Sequence, residues 1–147
     1  MTRLTTLNFS NPVGQAFWIM RIIFTVAPIL FGLDKFFNVL ADWTAYISPT
    51  AAHLLPVPPT VFMGIVGVVE MAVGIGILTA LPVAAAYAAS GWLLLVAGNL
   101  VLGGHLDIAV RDVVLAVAAF SLARLEEVRT EGATGRARAR AGAPSAA

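Results

Sequence analysis

The sequence predicts an all-α integral membrane protein: an antiparallel four-helix bundle with a short interfacial helix after the first membrane span. Its apolar fraction is 59% and its charged fraction 12%, against roughly 45–50% and about 25% in globular proteins. The mean hydropathy is +0.89. Four apolar stretches are each about long enough to cross the roughly 30 Å hydrocarbon core of a bilayer. The connections between the later stretches are short, which is typical of antiparallel helix bundles.

The chain divides into three parts by composition. Residues 1–15 form a polar N-terminal arm, which we expect to be retained because it lacks a convincing signal-peptide pattern. Residues 16–125 form the membrane domain, with spans predicted at about 16–33, 61–80, 83–102 and 105–125. Residues 126–147 are rich in Arg, Gly, Ala and Glu, with no large apolar residue after Val128. That composition predicts a disordered tail.

The distribution of cations predicts the topology. Four spans place both chain ends on one side of the membrane, where they bring together six of the nine cations: Arg3, Arg124, Arg129, Arg136, Arg138 and Arg140. By the positive-inside rule that side is the cytoplasm, so we expect a multi-pass protein of the inner (plasma) membrane. The last three arginines form a basic patch suited to anionic lipid. Nucleic-acid binding is not expected of so short a patch.

The segment between the first two predicted spans is amphipathic at its start. Phe36, Leu40, Trp43 and Ile47 recur at helical spacing, which predicts a short helix lying on the outer surface. It is either an interfacial anchor or a lid over a binding site. Residues 48–59 contain four prolines and cannot form a continuous helix. His53 in this stretch is either solvated or a ligand.

Glu70 is the central polar residue of the membrane domain. It stands in the middle of the second span, where a carboxylate must face protein or water because it is costly in lipid. Gly67, Glu70, Met71 and Gly74 share a helical face, so another helix can approach Glu70 closely. Small residues in the third span (Ala84, Ala88, Gly91 and Gly98) also predict tight helix packing.

Further polar residues surround Glu70 in the predicted bundle. Arg21 either extends to the interface or pairs inside the bundle, and Asn99 either bonds across helices or contacts a ligand. The candidates for a ligand site or a polar cluster are Arg21, Asp34, Lys35, Glu70, Asn99, His105, Asp107, Arg111 and Asp112. All except Arg21 and Glu70 are predicted near the outer side.

Charges at this depth are expected to be paired. The preferred pairs are Glu70 with Arg111, and Asp34 or Asp112 with Lys35. The cluster is either an internal salt-bridge network that fixes helix register or the lining of a pocket. A pocket would suit a quinone-like head group, with Lys35, Arg111 or His105 as donor and the carboxylates relaying protons.

The sequence argues against other chemistries. There are no cysteines, so thiolate metal sites, disulfides and iron–sulfur ligation are excluded for this chain. Two histidines, one in a proline-rich loop, make haem ligation unattractive, and no metal site is expected. No phosphate-binding or dinucleotide motif is present. A self-sufficient enzyme is therefore not expected.

The pattern of polar residues and glycines resembles the DoxX-like family of small membrane proteins. Arg21, Gly32 and Lys35 with an aromatic residue after it resemble the first-helix pattern, and Gly67-x-x-Glu70 followed by Gly74 resembles the second. Asn99 and residues 107–112 fit the later polar positions loosely. The resemblance covers about residues 16–125. The chain departs from the pattern at Phe31, where many members have His, and at Thr25, where they have Gly.

This resemblance implies a four-helix membrane protein, and some relatives are small subunits of quinone-linked oxidoreductases. The first expectation is an accessory subunit of a membrane redox system, with a partner membrane protein or a second copy of itself. The alternatives are a purely structural or assembly subunit and a component of a small-molecule transporter.

Overall fold

The computed structural model describes residues 11–79 and 81–141, and their secondary structure is helical. The helices are α1 (Pro12–Asp34), α2 (Pro49–Leu54), α3 (Pro59–Leu78), α4 (Pro82–Leu102) and α5 (Leu106–Ala141). A turn of 3-10 helix at Trp43–Tyr46, the Trp43 turn, lies between α1 and α2. The predicted all-α class is confirmed.

Proline begins each of the first four helices. Its fixed φ suits the first helical turn, and its missing N–H is not needed there. The side chain of Asn11 caps α1 by accepting from the backbone N–H of Val13. α1 then continues through Pro28 to Asp34, beyond which Asn38 takes a left-handed conformation with φ of 52°. Between α4 and α5 the chain turns at Gly104, whose φ is 81°.

Three of the described helices are long and apolar enough to cross a membrane: α1, α3 and α4. Their large apolar side chains are widely exposed, as with Ile22, Leu30 and Leu95, which suits contact with lipid rather than water. α5 is not among the three. Its apolar middle follows Asp107, Arg111 and Asp112 and precedes Arg124.

The four long helices contact one another in a closed order: α1 with α3, α3 with α4, α4 with α5, and α5 with α1. The main core lies where they meet. Phe17, Ile77 and Leu122 are fully buried there, together with small residues of α4 and α5. Alanines such as Ala86 and Ala119 let these two helices lie close together.

Glycines bring α1 and α3 together beside Glu70. A Cβ added to Gly32 would lie 2.5 Å from the carbonyl oxygen of Gly67, and one added to Gly74 would lie 2.7 Å from that of Thr25. Real side chains do not tolerate such distances, so glycine is required at both positions. The close approach predicted from the Gly67–Gly74 face is confirmed, and α1 is the helix that makes it.

The small residues of α4 do not behave in the same way. A Cβ added to Gly91 or Gly98 would meet nothing within 4 Å, and Ala84 and Ala88 are exposed. The tight packing predicted for this face is therefore not made by the described part of the chain. α4 instead buries Ala85, Ala89 and their neighbours on its other side.

Two predictions about the segments outside the spans are wrong. No helix covers 36–47, because the Asp34 carboxylate accepts from the N–H groups of Val39 and Leu40 and folds the chain back. Only the Trp43 turn is helical there. The chain beyond residue 125, predicted as disordered, continues α5 as far as Ala141. The predicted arm up to residue 10 and the tail from 142 lie outside the described residues.

Candidate functional site

The centre of the candidate site is an ion pair between α1 and α3. The Lys35 Nζ donates to Glu70 Oε2 at 2.6 Å, and the two side chains are only 5% and 15% exposed. Lys35 is the C-cap residue of α1, while Glu70 lies on the glycine face of α3. The close contact between α1 and α3 thus places the Glu70 carboxylate next to the Lys35 ammonium group.

Trp43 covers this pair and ties it to the connector, as we call residues 36–58 between α1 and α3. The Lys35 ammonium lies 4.0 Å from the centre of the Trp43 ring, within cation–π range. The Trp43 Nε1 donates to Asp34 Oδ2 at 2.7 Å. Asp34 is therefore engaged by Trp43 and by backbone N–H groups, and Lys35 is free to pair with Glu70. We call Asp34, Lys35, Trp43, Glu70 and Asp112 the Lys35 cluster.

Asn99 fastens the connector to α4. Its Oδ1 accepts from the backbone N–H of Ser48 at 3.0 Å, and its Nδ2 donates to the carbonyl of Tyr46 at 2.7 Å. The Tyr46 ring stacks edge-on against His105 at 5.2 Å between ring centres. The structural interpretation of Asn99 holds, because both ends of its amide are used by backbone. His53 is exposed in the last turn of α2 and is not part of this contact.

Asp112 of α5 adds a second carboxylate to the cluster. It is half-buried, and it lies close enough to both Glu70 and Lys35 to interact electrostatically with them. One ammonium group therefore serves two carboxylates inside the protein. With Asp34, the Lys35 cluster contains three carboxylates and one ammonium group, so its formal charge is negative.

Arg111 and Asp107 do not belong to the cluster. They face each other at 3.8 Å on the surface of α5 with more than 70% of each side chain exposed. The predicted pair of Glu70 with Arg111 is wrong, and the close ion pair of Lys35 is with Glu70 rather than with Asp34 or Asp112. Arg111 and Asp112 are adjacent and so point about 100° apart around the helix, which puts only Asp112 toward Glu70.

Arg21 lies near the middle of α1, roughly 21 Å along the helix from Lys35. Its Nη1 is 2.9 Å from Glu126 Oε1, and its Nη2 donates to the carbonyl of Leu78 at 3.4 Å. The Glu126 side chain is 5% exposed. Arg21 therefore pairs inside the protein, one of its two predicted alternatives, and it joins α1, α3 and α5.

Arg129 accompanies this pair, with its guanidinium 4.1 Å from the centre of the Phe17 ring. Burial raises the pKa of the Glu126 carboxyl, and the nearby Arg21 and Arg129 oppose that rise. We call Arg21, Glu126 and Arg129 the Arg21 cluster. It has two cations for one carboxylate, the reverse of the Lys35 cluster.

Two cavities adjoin the Lys35–Glu70 pair. A groove of about 590 Å³ is lined by Lys35, by Asn38 and Thr44 of the connector, and by the first turns of α3. A smaller cavity of about 100 Å³, partly open at exposed side chains such as Ile23 and Leu115, is lined by Glu70 and by apolar residues of α1, α3, α4 and α5. Each member of the ion pair thus lines a different space.

Three residues of these sites were not singled out as candidates from sequence. Trp43 was expected to anchor the chain at the interface, and its contacts with Asp34 and Lys35 have no sequence signal beyond proximity. Glu126 is the first carboxylate after the apolar part of α5, a signal that could have marked it as the partner of Arg21. Trp92, which lines the smaller cavity beside Glu70, has no signal in a single sequence.

The Lys35 cluster and the two cavities beside it offer hydrogen-bond donors and acceptors in apolar surroundings. Among residues 11–79 and 81–141, no three histidine, aspartate or glutamate side chains group as metal ligands do. No protein-family model matches this chain, and neither the curated proteins nor the solved structures contain a significant match. The site therefore has to be interpreted from its own chemistry.

Proposed function

We propose that the chain is an integral membrane protein whose four long helices form an antiparallel bundle, with α5 as the fourth span. The closed order of helix contacts supports this arrangement. The apolar middle of α5, from Val113 to Ala123, packs against the apolar α4. The arginines beyond α5 favour a cytoplasmic location for both chain ends in an inner membrane.

Within this bundle the Lys35–Glu70 pair binds the polar head group of a lipid-soluble ligand, and a quinone is our candidate. The observation that carries the proposal is the position of Lys35: its ammonium is buried on Glu70, covered by Trp43, and borders the groove of about 590 Å³. Ligand sites typically combine apolar walls with a few such polar groups. A quinone carbonyl would accept from Lys35, and Glu70 with Asp112 would hold or pass protons.

The protein would act as an accessory subunit of a quinone-linked redox system, as the resemblance to DoxX-like proteins suggests. Its own side chains supply hydrogen bonds and proton-carrying groups, whereas electron transfer would fall to a partner membrane protein. The transporter alternative has no specific observation in its favour.

The test is purification of the full chain in native lipid, followed by mass spectrometry of the intact particle and quinone analysis of its lipid extract. We expect near one quinone per chain in the wild type. The double variant Lys35→Met/Glu70→Gln should lose the quinone, since it removes the donor without leaving the Glu70 carboxylate unpaired. Arg111→Met is the matched control, because its side chain is exposed, and it should retain the quinone.

A wild-type particle without quinone, or equal retention in the double variant, would contradict the proposal. The exposed glycine face of α4 gives the assembly alternative a specific observation of its own. Gly91 and Gly98 have room for another helix, and small residues at such spacing let transmembrane helices approach. A ligand-free protein held tightly to a partner through this face would favour that alternative.

A further inference from the structure

Arg129 is the exposed member of the Arg21 cluster. The side chains of Arg21 and Glu126 are only 17% and 5% exposed, and they pair with each other at 2.9 Å. Arg129 is exposed on the surface of α5, and its guanidinium is held 4.1 Å from the centre of the Phe17 ring. Because Glu126 already pairs closely with Arg21, the positive charge of Arg129 is only partly offset.

The next carboxylates of α5 lie away from Arg129. Glu127 and Glu131 stand two residues before and two residues after it, about 200° around the helix. Glu127 accepts from the Tyr87 hydroxyl at 2.8 Å and pairs with Arg124, so it belongs to the side of α5 that contacts α4. The side of α5 toward α1 therefore keeps the positive surplus of the Arg21 cluster.

Trp18 of α1 lies beside both guanidinium groups. The centre of its ring is 5.5 Å from the guanidinium carbon of Arg21 and 5.8 Å from that of Arg129, and the residue is half-buried. Arg21 also donates to the carbonyl of Leu78, the last residue of α3. The cluster thus stands at the end of the bundle where α3 leads into α4. Tryptophan is enriched at this level of membrane proteins, where lipid head groups meet the hydrocarbon.

An exposed apolar stripe leads from Trp18 toward the middle of α1. Trp18, Ile22 and Val26 are spaced four residues apart, so they share one face of the helix. Ile22 and Val26 are 58% and 46% exposed. In the proposed bundle this stripe faces acyl chains, while the cations at its beginning lie near the lipid phosphates. A surplus cation above an apolar stripe is complementary to a phospholipid whose head group carries a net negative charge.

We infer that the Arg21 cluster and Trp18 form a binding site for one anionic phospholipid of the cytoplasmic leaflet, with its phosphate at Arg129 and an acyl chain along the exposed stripe. Basic pockets between membrane helices on the cytoplasmic side are known to bind anionic head groups. The pair of Arg21 with Glu126 holds α1 and α5 in place, and Arg129 receives the phosphate. The inference rests on the proposed membrane bundle but not on the binding of a quinone.

The test compares two lipids that have the same acyl chains. The full chain is reconstituted in nanodiscs that contain equal amounts of phosphatidylglycerol and phosphatidylcholine, and native mass spectrometry identifies the lipids that leave with the protein. We expect the first retained lipid to be phosphatidylglycerol about five times as often as phosphatidylcholine, as one arginine near the surface predicts. An excess of sn-glycerol 3-phosphate, which has no acyl chains, should not change this ratio.

Three variants assign the preference to one side chain. Arg129→Gln removes the exposed cation and leaves the pair of Arg21 with Glu126 intact, so it should bring the ratio of the two lipids close to one. Arg129→Lys keeps the charge and should keep most of the preference. Arg138→Gln is the matched control, because Arg138 is an exposed arginine about 13 Å further along the same helix, and it should leave the ratio unchanged.

Three results would overturn the inference: equal retention of the two lipids by the wild-type chain, equal losses of preference in Arg129→Gln and Arg138→Gln, or displacement of phosphatidylglycerol by sn-glycerol 3-phosphate. The second would assign the preference to the overall charge of α5, and the third would indicate a site for a soluble phosphate. A chain that does not enter nanodiscs would contradict the proposed bundle and this inference together. A chain that enters them without a lipid preference would contradict this inference alone, and the quinone proposal would stand because Lys35 is unchanged in every variant.

Discussion

The Lys35 and Arg21 clusters are built from the same kinds of residue but differ in charge balance and in the space around them. At the Arg21 cluster two arginines surround one carboxylate, and the guanidinium of Arg21 also donates to the end of α3. At the Lys35 cluster one ammonium serves Glu70 and Asp112, and it borders a groove.

This difference separates a structural role from a binding role. Arg21 joins three helices through its ion pair with Glu126 and its hydrogen bond to Leu78, as a residue that fixes helix positions should. Lys35 also joins two helices, but an aromatic ring and an open groove lie beside it rather than further packing. A buried ion pair is weak evidence for stability by itself. The adjoining spaces are what make the Lys35 cluster a candidate site.

The largest expected effect is at Lys35. Lys35→Met leaves the carboxylates of the Lys35 cluster without their cation and should lower the free energy of unfolding by about 3–5 kcal/mol. Arg21→Met should cost less, about 2 kcal/mol, because Arg129 remains near Glu126. Denaturant titration of the detergent-solubilised protein measures both losses.

Equal losses at the two positions would show that charge balance does not distinguish the clusters. Double variants, which remove both members of each ion pair, compare the two clusters further. Lys35→Met/Glu70→Gln should recover part of the loss, and the remainder should be larger than that of Arg21→Met/Glu126→Gln because Asp112 has lost its cation. Full recovery in the first double variant would remove Asp112 from the cluster.

The next largest loss of stability is expected at the contact between α1 and α3, which places Glu70 next to Lys35. Gly32→Ala places a Cβ against the carbonyl of Gly67, so it should destabilise the protein by about 1–3 kcal/mol. It should also loosen the Lys35–Glu70 pair. Gly91→Ala is the matched control, since nothing lies within 4 Å of its added Cβ, and it should be neutral or slightly stabilising.

Equal losses in the two glycine variants would show that Gly91 is packed against something outside this chain. That result would favour the assembly alternative. A concentration-dependent change of particle mass in Gly91→Ala, measured by light scattering, would locate the contact between copies.

The parts of the fold that the sequence predicted are those set by local composition. Long apolar stretches and prolines located α1, α3 and α4 to within a few residues. The spacing of Gly67 and Gly74 identified the face on which a helix lies. The conformation of the connector was not predictable from its amphipathic spacing. The Asp34 carboxylate accepts hydrogen bonds from the backbone N–H groups of Val39 and Leu40, which a helix would use internally.

The pairing of charges was harder to predict because it depends on how each helix is rotated about its axis. Arg111 and Asp112 are expected at nearly the same depth in the membrane, and only the rotation of α5 decides which of the two side chains faces Glu70. Helicity beyond residue 125 is a further example. The low hydropathy of this segment predicts disorder, but Ala, Glu and Arg are all good helix formers and the segment continues α5.

The smallest expected effect is also the most specific to the Lys35 cluster. Asp112→Asn removes the surplus negative charge while keeping the shape of the side chain, so it should stabilise the protein by about 0.5–1 kcal/mol, a modest gain because Asp112 is only half-buried. Asp107→Asn, on the same helix but exposed and paired with Arg111, should be neutral or slightly destabilising. The two variants differ in sign only if Asp112 repels Glu70 inside the protein. Destabilisation by Asp112→Asn would show instead that the attraction between Lys35 and Asp112 outweighs the repulsion between Asp112 and Glu70, and the charge of Asp112 would then stabilise the Lys35 cluster.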